Sequence, residues 1–276
     1  MTPAEFEAEH VQKMQPVVIA DATTAWPARQ SFTPDFFRKN FGAVEVPVDE
    51  KPMRLDACLN LLEASTVEQP GPYPCHYPVD TFFKDVLPEI SPRFAYGLPD
   101  RSQSRLIPGR LMGGAYNLEI FFGGPGGEFP YLHYDYMGLH AFINQMHGHK
   151  EFTAIPPWQT EFVYSNPENP WRSLIENHHK PDLDKYPLFA KATKLVFTIG
   201  PGETLFIPNG WWHTARSLDM TISVAFDRLD ASNWKRFRNE VRAKFRTAPA
   251  AKRLLADAYL VLLGGALSLK ETLASA

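Results

Sequence analysis

Tyr131-Leu132-His133-Tyr134-Asp135 is an aromatic run that reads as a β-strand. Side chains two apart on a strand point the same way, so His133 and Asp135 can grip one metal ion from a stiff backbone. A third donor lies far downstream, at the end of Gly202-Glu203-Thr204-Leu205-Phe206-Ile207-Pro208-Asn209-Gly210-Trp211-Trp212-His213. Two imidazoles and one carboxylate on one face make the facial triad that suits non-haem Fe(II) and leaves coordination positions open. A His-x-Asp alone is common and more often marks a surface strand or a hydrogen-bonded pair. The Gly-Glu-Thr-Leu-Phe-Ile-Pro run ahead of Trp-Trp-His is what lifts the pattern above chance.

Outward from this stretch, short apolar or alternating runs recur at 115–122, 138–146, 149–155, 195–199, 203–207 and 220–226. Glycines and prolines stand between many of them, which predicts a sandwich or barrel. The 25 prolines of the chain punctuate short elements rather than one tract. We expect a mainly β fold with flanking helices, a double-stranded β-helix (jelly roll) enclosing a metal between facing sheets. Towards the N-terminus, 3–15, a segment opened by Thr33 and Pro34, and 53–64 read as helices. Residues 16–20 and 44–48 read as strands, and 68–78 as Pro-rich loop. Residues 158–193 read as a long connection with one short helix. Residues 1–230 form the expected catalytic domain, and 231–276 turn helical. There Leu254, Leu255, Ala258, Leu262 and Leu269 give a stripe that caps the barrel or makes a homodimer contact.

Composition narrows the class. Lys plus Arg number 28 against 31 Asp plus Glu, so nothing in the charge argues for a nucleic-acid partner. The one basic stretch, from Trp234-Lys235-Arg236-Phe237-Arg238 to Arg246, reads as the solvated face of a helix. Cys58 and Cys75 read as unpaired thiols in a reducing compartment. The N-terminus has no basic-then-apolar leader pattern, and the most apolar window, 258–269, is too short to span a bilayer. The expectation is a cytoplasmic protein without a membrane partner.

Placed on this map, the chain resembles the JmjC-related, cupin-like Fe(II)- and 2-oxoglutarate-dependent oxygenases, the group that includes the asparaginyl hydroxylase acting on hypoxia-inducible factor. The resemblance runs through Gln15-Pro16-Val17-Val18-Ile19, Trp26-Pro27, Phe41-Gly42, Val46-Pro47-Val48 and Phe121-Phe122-Gly123-Gly124. It continues through His133-Tyr134-Asp135, Gly148-His149-Lys150, Ile155-Pro156-Pro157, Asp182-Leu183-Asp184-Lys185-Tyr186-Pro187 and the long run ending at His213. It implies that His133, Asp135 and His213 hold Fe(II). It also implies that Lys150 pairs with the far carboxylate of 2-oxoglutarate. The residues agree, because a strand lysine facing a core is costly without an anionic partner. The chain departs from the family pattern in four places. Three residues lengthen the Asp135–Lys150 spacing (Tyr136-Met137-Gly138), Pro130 replaces Thr or Ser, His140 or Ala141 replaces an early-strand Asn, and Ala225 replaces a late-strand Asn. Asn117, Tyr131 and Asn144 are the candidates for the co-substrate contacts so displaced.

Trp211 and Trp212 are expected to pack around His213. His140, His147 and His149 read as core or surface histidines, and His178-His179 as a solvated pair. The resemblance implies an O2-using hydroxylase or desaturase, since an intact Asp135 leaves no ligand position for chloride. Its substrate is expected to be an amino-acid residue of a peptide or protein, or a small biosynthetic metabolite. Two other readings stay open: a metal cupin that does not use 2-oxoglutarate, and a non-catalytic binding module.

Overall fold

The structure is a computed structural model, and it describes residues 1–92, 95–112 and 118–275. The N-terminal half alternates short helices and strands: α1 (Pro3–Phe6, continued by a wide helical stretch Glu7–Val11), β1 (Val17–Ile19), α2 (Ala28–Ser31), α3 (Pro34–Phe41), β2 (Glu45–Val48), β3 (Lys51–Arg54), α4 (Leu55–Glu63), β4 (Cys75–Pro78) and α5 (Val79–Phe82). The rest is β5 (Glu119–Gly123), β6 (His140–His147), β7 (Lys150–Ile155), β8 (Leu195–Ile199), β9 (Thr204–Ile207), β10 (Trp212–Ser217) and β11 (Thr221–Arg228), then α6 (Trp234–Lys244) and α7 (Ala250–Ser275).

Local signals set several boundaries. Thr33 caps α3, its hydroxyl accepting the Phe36 N–H at 3.2 Å, and Pro34 takes the first helical position. β2 alternates, with Val46 and Val48 buried and Glu45 and Pro47 exposed. Gly148 closes the β6–β7 turn at φ +68°, and a Cβ there would stand 2.0 Å from the Met220 carbonyl oxygen. Only glycine fits that turn, which fixes Lys150 as the first residue of β7.

The strands form a six-stranded sheet ordered β1-β9-β6-β11-β5-β4 and a three-stranded sheet ordered β10-β7-β8. Ala141 and Ile143 of β6, Leu205 and Ile207 of β9, Phe152 and Ala154 of β7 and Ala215 of β10 share one apolar cluster. Residues from both sheets meet there, so the sheets face each other: the fold is the expected jelly roll. The outer face of the large sheet is also covered. Phe142 and Phe206 pack on Phe6, with ring centroids 6.0 and 4.9 Å away. All four residues of β9 are therefore buried, which explains why Leu205-Phe206-Ile207 runs apolar without alternating. Each such buried Leu, Ile or Phe contributes about 1.5–3 kcal/mol, and a charge at Leu205 or Phe206 would break the sandwich.

Four expectations need correction. Residues 131–135 run extended but are not a full strand: His133 alone is bridged, to His213 on one side and Arg172 on the other. The turn at 136–138, with Met137 and Gly138 both left-handed, swings the chain away before a ladder can form. Cys75–Pro78, expected as loop, is an edge strand on β5, a place where proline is tolerated. The 53–64 helix divides into β3 and α4. The leucine stripe of α7 does not cap the barrel: Leu254, Leu255, Leu262 and Leu269 are 72, 70, 74 and 62% exposed, which leaves the homodimer alternative. Leu260, Leu263 and Leu267 instead pack with Trp234, Phe237, Met137 and Leu139. The basic stretch on α6 clamps this pair of helices, since Arg238 and Arg242 bind Asp257 at 2.9 and 2.6 Å. Cys58 and Cys75 are free and buried, their sulfurs 3.9 Å apart. Among the described residues no helix is long and apolar enough to cross a membrane.

Candidate metal centre

His213 is the second residue of β10, and its backbone exchanges hydrogen bonds with His133 at 3.0 and 2.6 Å. This bridge sets the two imidazoles side by side, ring centroids 4.4 Å apart. Asp135 follows two residues later, its Oδ1 3.8 Å from His213 Nε2. One ligand atom from each of His133, Asp135 and His213 lies within 4.8 Å of the others. The outer nitrogens are fixed from behind. His213 Nδ1 meets the Trp211 carbonyl at 3.0 Å and His133 Nδ1 the Tyr131 carbonyl at 3.5 Å. A proton held at Nδ1 leaves Nε2 as the free lone pair, the tautomer a metal needs. Burial, then His213, holds His133 well below the usual histidine range, so its ring stays neutral. Burial pushes the Asp135 carboxyl up, with His213 opposing. Two imidazoles with Nε2 free and a desolvated carboxylate are a donor set that fits Fe(II).

The triad lines a cavity of about 300 Å³ between the sheets. Lys150 lines the same cavity from β7 and is only 2% exposed. The register pairs His213 with Ala154 and Ser217 with Lys150, so both side chains share the inward face, about 13 Å apart along the ladder. Ala141, Ala215 and Ala225 leave the space between open. Lys150 Nζ donates to Ser223 Oγ at 2.9 Å, and Ser223 donates on to Gln145 at 2.7 Å. Burial pushes its pKa down to about 7. Tyr73 lines the same cavity, and its hydroxyl is buried without a hydrogen-bond partner among the described residues. Burial pushes that phenol up, so it remains an O–H donor. The Tyr73 and Phe121 rings flank the ammonium at 5.7 and 5.6 Å. A buried amine with N–H groups to spare and an unpartnered O–H fit the far carboxylate of a dicarboxylate.

The proposed secondary contacts fare differently. Tyr131 lines the cavity, with the Arg172 guanidinium 4.1 Å from its ring centroid. Asn144 does not. Ala141 and Ile143 take the inward positions of β6, so Asn144 faces the other side, donating to Val224 O at 2.8 Å and accepting from Thr204 at 2.7 Å. Asn117 lies outside the described residues. His140 also turns away, accepting from the Asn209 N–H at 3.0 Å and meeting Ser232 at 2.9 Å; Ala141 holds the cavity position. The indoles of Trp211 and Trp212 are fixed on Met14 O and Thr160 Oγ1, both at 2.9 Å.

The sequence reading missed Tyr73, which lay in a stretch taken for featureless loop. It also missed Ser223 and Asp227, although the alternation Ser223-Val224-Ala225-Phe226-Asp227 puts both on the inward face with Ala225. Asp227 and Glu119 line the cavity with Asp135. Burial and the nearby Asp135 and Glu119 push Asp227 well up, while Glu119 is held by His76 at 3.0 Å. This wall favours positive charge.

A sequence profile described as a cupin-like domain matches residues 35–227. HSPB1-associated protein 1 of Rattus norvegicus is 36% identical over 110 residues, 38% of this chain and 22% of that protein. Arginine-specific demethylase JMJ20 of Arabidopsis thaliana is 26% identical over 259 residues, 83% of this chain and 55% of that protein. Lysine-specific demethylase 8 of Xenopus tropicalis is 26% identical over 232 residues, 80% of this chain and 49% of that protein. The chain thus spans from about a fifth to about half the length of these relatives. The match is to the cupin-like family as a whole, not to the asparaginyl hydroxylase group within it.

Proposed function

The chain belongs to the cupin-like family, and on that premise we propose that it is an Fe(II)- and 2-oxoglutarate-dependent oxygenase. The observation that carries this reading is one cavity with two unmet needs. Three ligand atoms gather within 4.8 Å at one end, and a buried ammonium beside an unpartnered phenol waits at the other. In this reading His133, Asp135 and His213 hold the metal, and Lys150 and Tyr73 hold the far carboxylate of the co-substrate. When bound, Fe(II) and 2-oxoglutarate would supply O2 activation and oxidation of a C–H bond, coupled to loss of CO2 and formation of succinate.

The protein's own residues position and exclude. The two backbone carbonyls lock the imidazole tautomers. Phe121, Phe129 and Phe152 line the cavity with apolar surface and keep water from the reacting centre. Asp227 and Glu119 suit a cationic side chain. Two of the relatives are named as demethylases of arginine and lysine residues. An arginine or lysine residue of a peptide or protein is therefore the substrate class we favour, ahead of a small metabolite.

A turnover screen tests the reading. With Fe(II), 2-oxoglutarate and O2, arginine or lysine peptides should drive succinate formation from the co-substrate, plain peptides gaining oxygen and N-methylated ones losing the methyl group by mass spectrometry. Metal binding with no 2-oxoglutarate use would favour the co-substrate-independent cupin. No metal binding would favour a non-catalytic module.

A further inference from the structure

We propose a second divalent-metal site, for a zinc-type ion, formed by Glu128, His178 and His179 on the outer face of the small sheet. His178 Nδ1 and His179 Nε2 converge on one carboxylate oxygen, Glu128 Oε1, at 3.3 and 3.1 Å. The three ligand atoms lie within 4.8 Å of one another. Ligands about 2.0–2.1 Å from a tetrahedral ion are separated by about 3.4 Å, so the side chains stand close to the required spacing.

The site is distinct from the triad. Glu128 is bridged to Arg216 on β10. His213 and Ala215 face inward, so residue 216 and its partner face out, about 10 Å further along the strand.

Hydrogen bonding does not account for the cluster. Glu128 Oε1 is buried and has no hydrogen-bond partner among the described residues, although two imidazoles crowd it. His178 is 6% exposed, not the solvated residue its sequence suggested. The two rings are 3.9 Å apart, with a nitrogen of each turned toward the same carboxylate oxygen. A shared cation satisfies all three groups at once.

The neighbours select the ion. Arg216 is neutralised by Glu151 at 2.8 Å, but Lys194, bound to the His178 carbonyl at 3.1 Å, keeps its charge nearby. That charge weakens any cation's hold. Mg(II) and Ca(II), which want cages of oxygen, are excluded by two nitrogen donors. An ion that binds imidazole strongly remains. The site would join the long insert to the segment leading into His133. The same insert supplies Trp171 to the wall of the cavity and Arg172 to the ring of Tyr131. A metal here would stiffen that wall without touching the reacting atoms.

The test is zinc stoichiometry on the chelator-stripped full chain, by equilibrium dialysis and elemental analysis. Wild type should bind two ions per chain, H178A/H179A one and H133A/H213A one. The isosteric E128Q, which preserves the fold if the histidine pair does not tolerate alanine, should weaken one of the two ions by about 10- to 100-fold or more. One ion in wild type, lost in H178A/H179A, would support this site and count against the triad. Unchanged stoichiometry and affinity in both H178A/H179A and E128Q would overturn it, as would a wild type that binds no zinc.

Discussion

Replacing Lys150 by Met should make the ligand-free protein more stable and deaf to 2-oxoglutarate. Lys150 is 2% exposed, and burial takes its pKa from 10.5 to about 7. Each unit is about 1.36 kcal/mol, so the charge costs the folded state up to about 5 kcal/mol. The sign follows from proton binding. The unfolded chain binds more protons than the folded one between the two pKa values, so this group's penalty is full below about pH 7. The penalty is relieved as pH rises towards 10.5. Methionine has similar volume, and losing the Ser223 contact costs about 1 kcal/mol. Lys150→Met should therefore gain about 3–4 kcal/mol at pH 6.5, or roughly 6–10 °C in Tm. The advantage should shrink to under about 1 kcal/mol by pH 10. Thermal unfolding of both proteins across that range measures it. With a divalent metal present, 2-oxoglutarate at 100 times its Kd should raise wild-type stability by about 2.7 kcal/mol and leave the variant unmoved. A Lys150→Met protein that is less stable than wild type by the same amount at every pH would refute the idea that this lysine is held buried for an anion.

Tyr73→Phe removes the unpartnered hydroxyl and should raise the Kd for 2-oxoglutarate about 10- to 100-fold, read by titration, with little change in turnover at saturating co-substrate. Asp227→Asn should lower kcat/KM for arginine and lysine peptides at least about tenfold while sparing neutral ones, and equal losses on both would remove the charge argument. The exposed leucines of α7 predict a dimeric mass in solution, and Leu255→Glu with Leu262→Glu should give a monomer by light scattering; a wild-type monomer would end that idea.

Much of this was legible because it obeys short periods. The strands at 195–199, 203–207 and 220–226 were read close to their observed bounds, and the Thr33 cap and the Gly148 turn follow from residue chemistry. The gathering of His133, Asp135 and His213 was legible because His-x-Asp and a distant Trp-Trp-His are each local signals. What failed depended on which face an element shows. Asn144 is one residue out of phase with Ala141 and Ile143 and so serves the sheet, not the cavity. The leucines of α7 offered a cap for the barrel or a dimer contact, and three intervening ones do the packing within the chain. Tyr73 and His178 sit in segments without periodicity, and only tertiary packing brings Lys150 to the first and Glu128 to the second.

The most direct test is an anaerobic crystal soaked with Fe(II) and 2-oxoglutarate, read by anomalous scattering at the iron edge. A peak should stand about 2.0–2.2 Å from His133 Nε2, His213 Nε2 and an oxygen of Asp135, with the co-substrate reaching from it to Lys150 and Tyr73. A cavity without that peak, or iron found only at Glu128, His178 and His179, would contradict the proposed function.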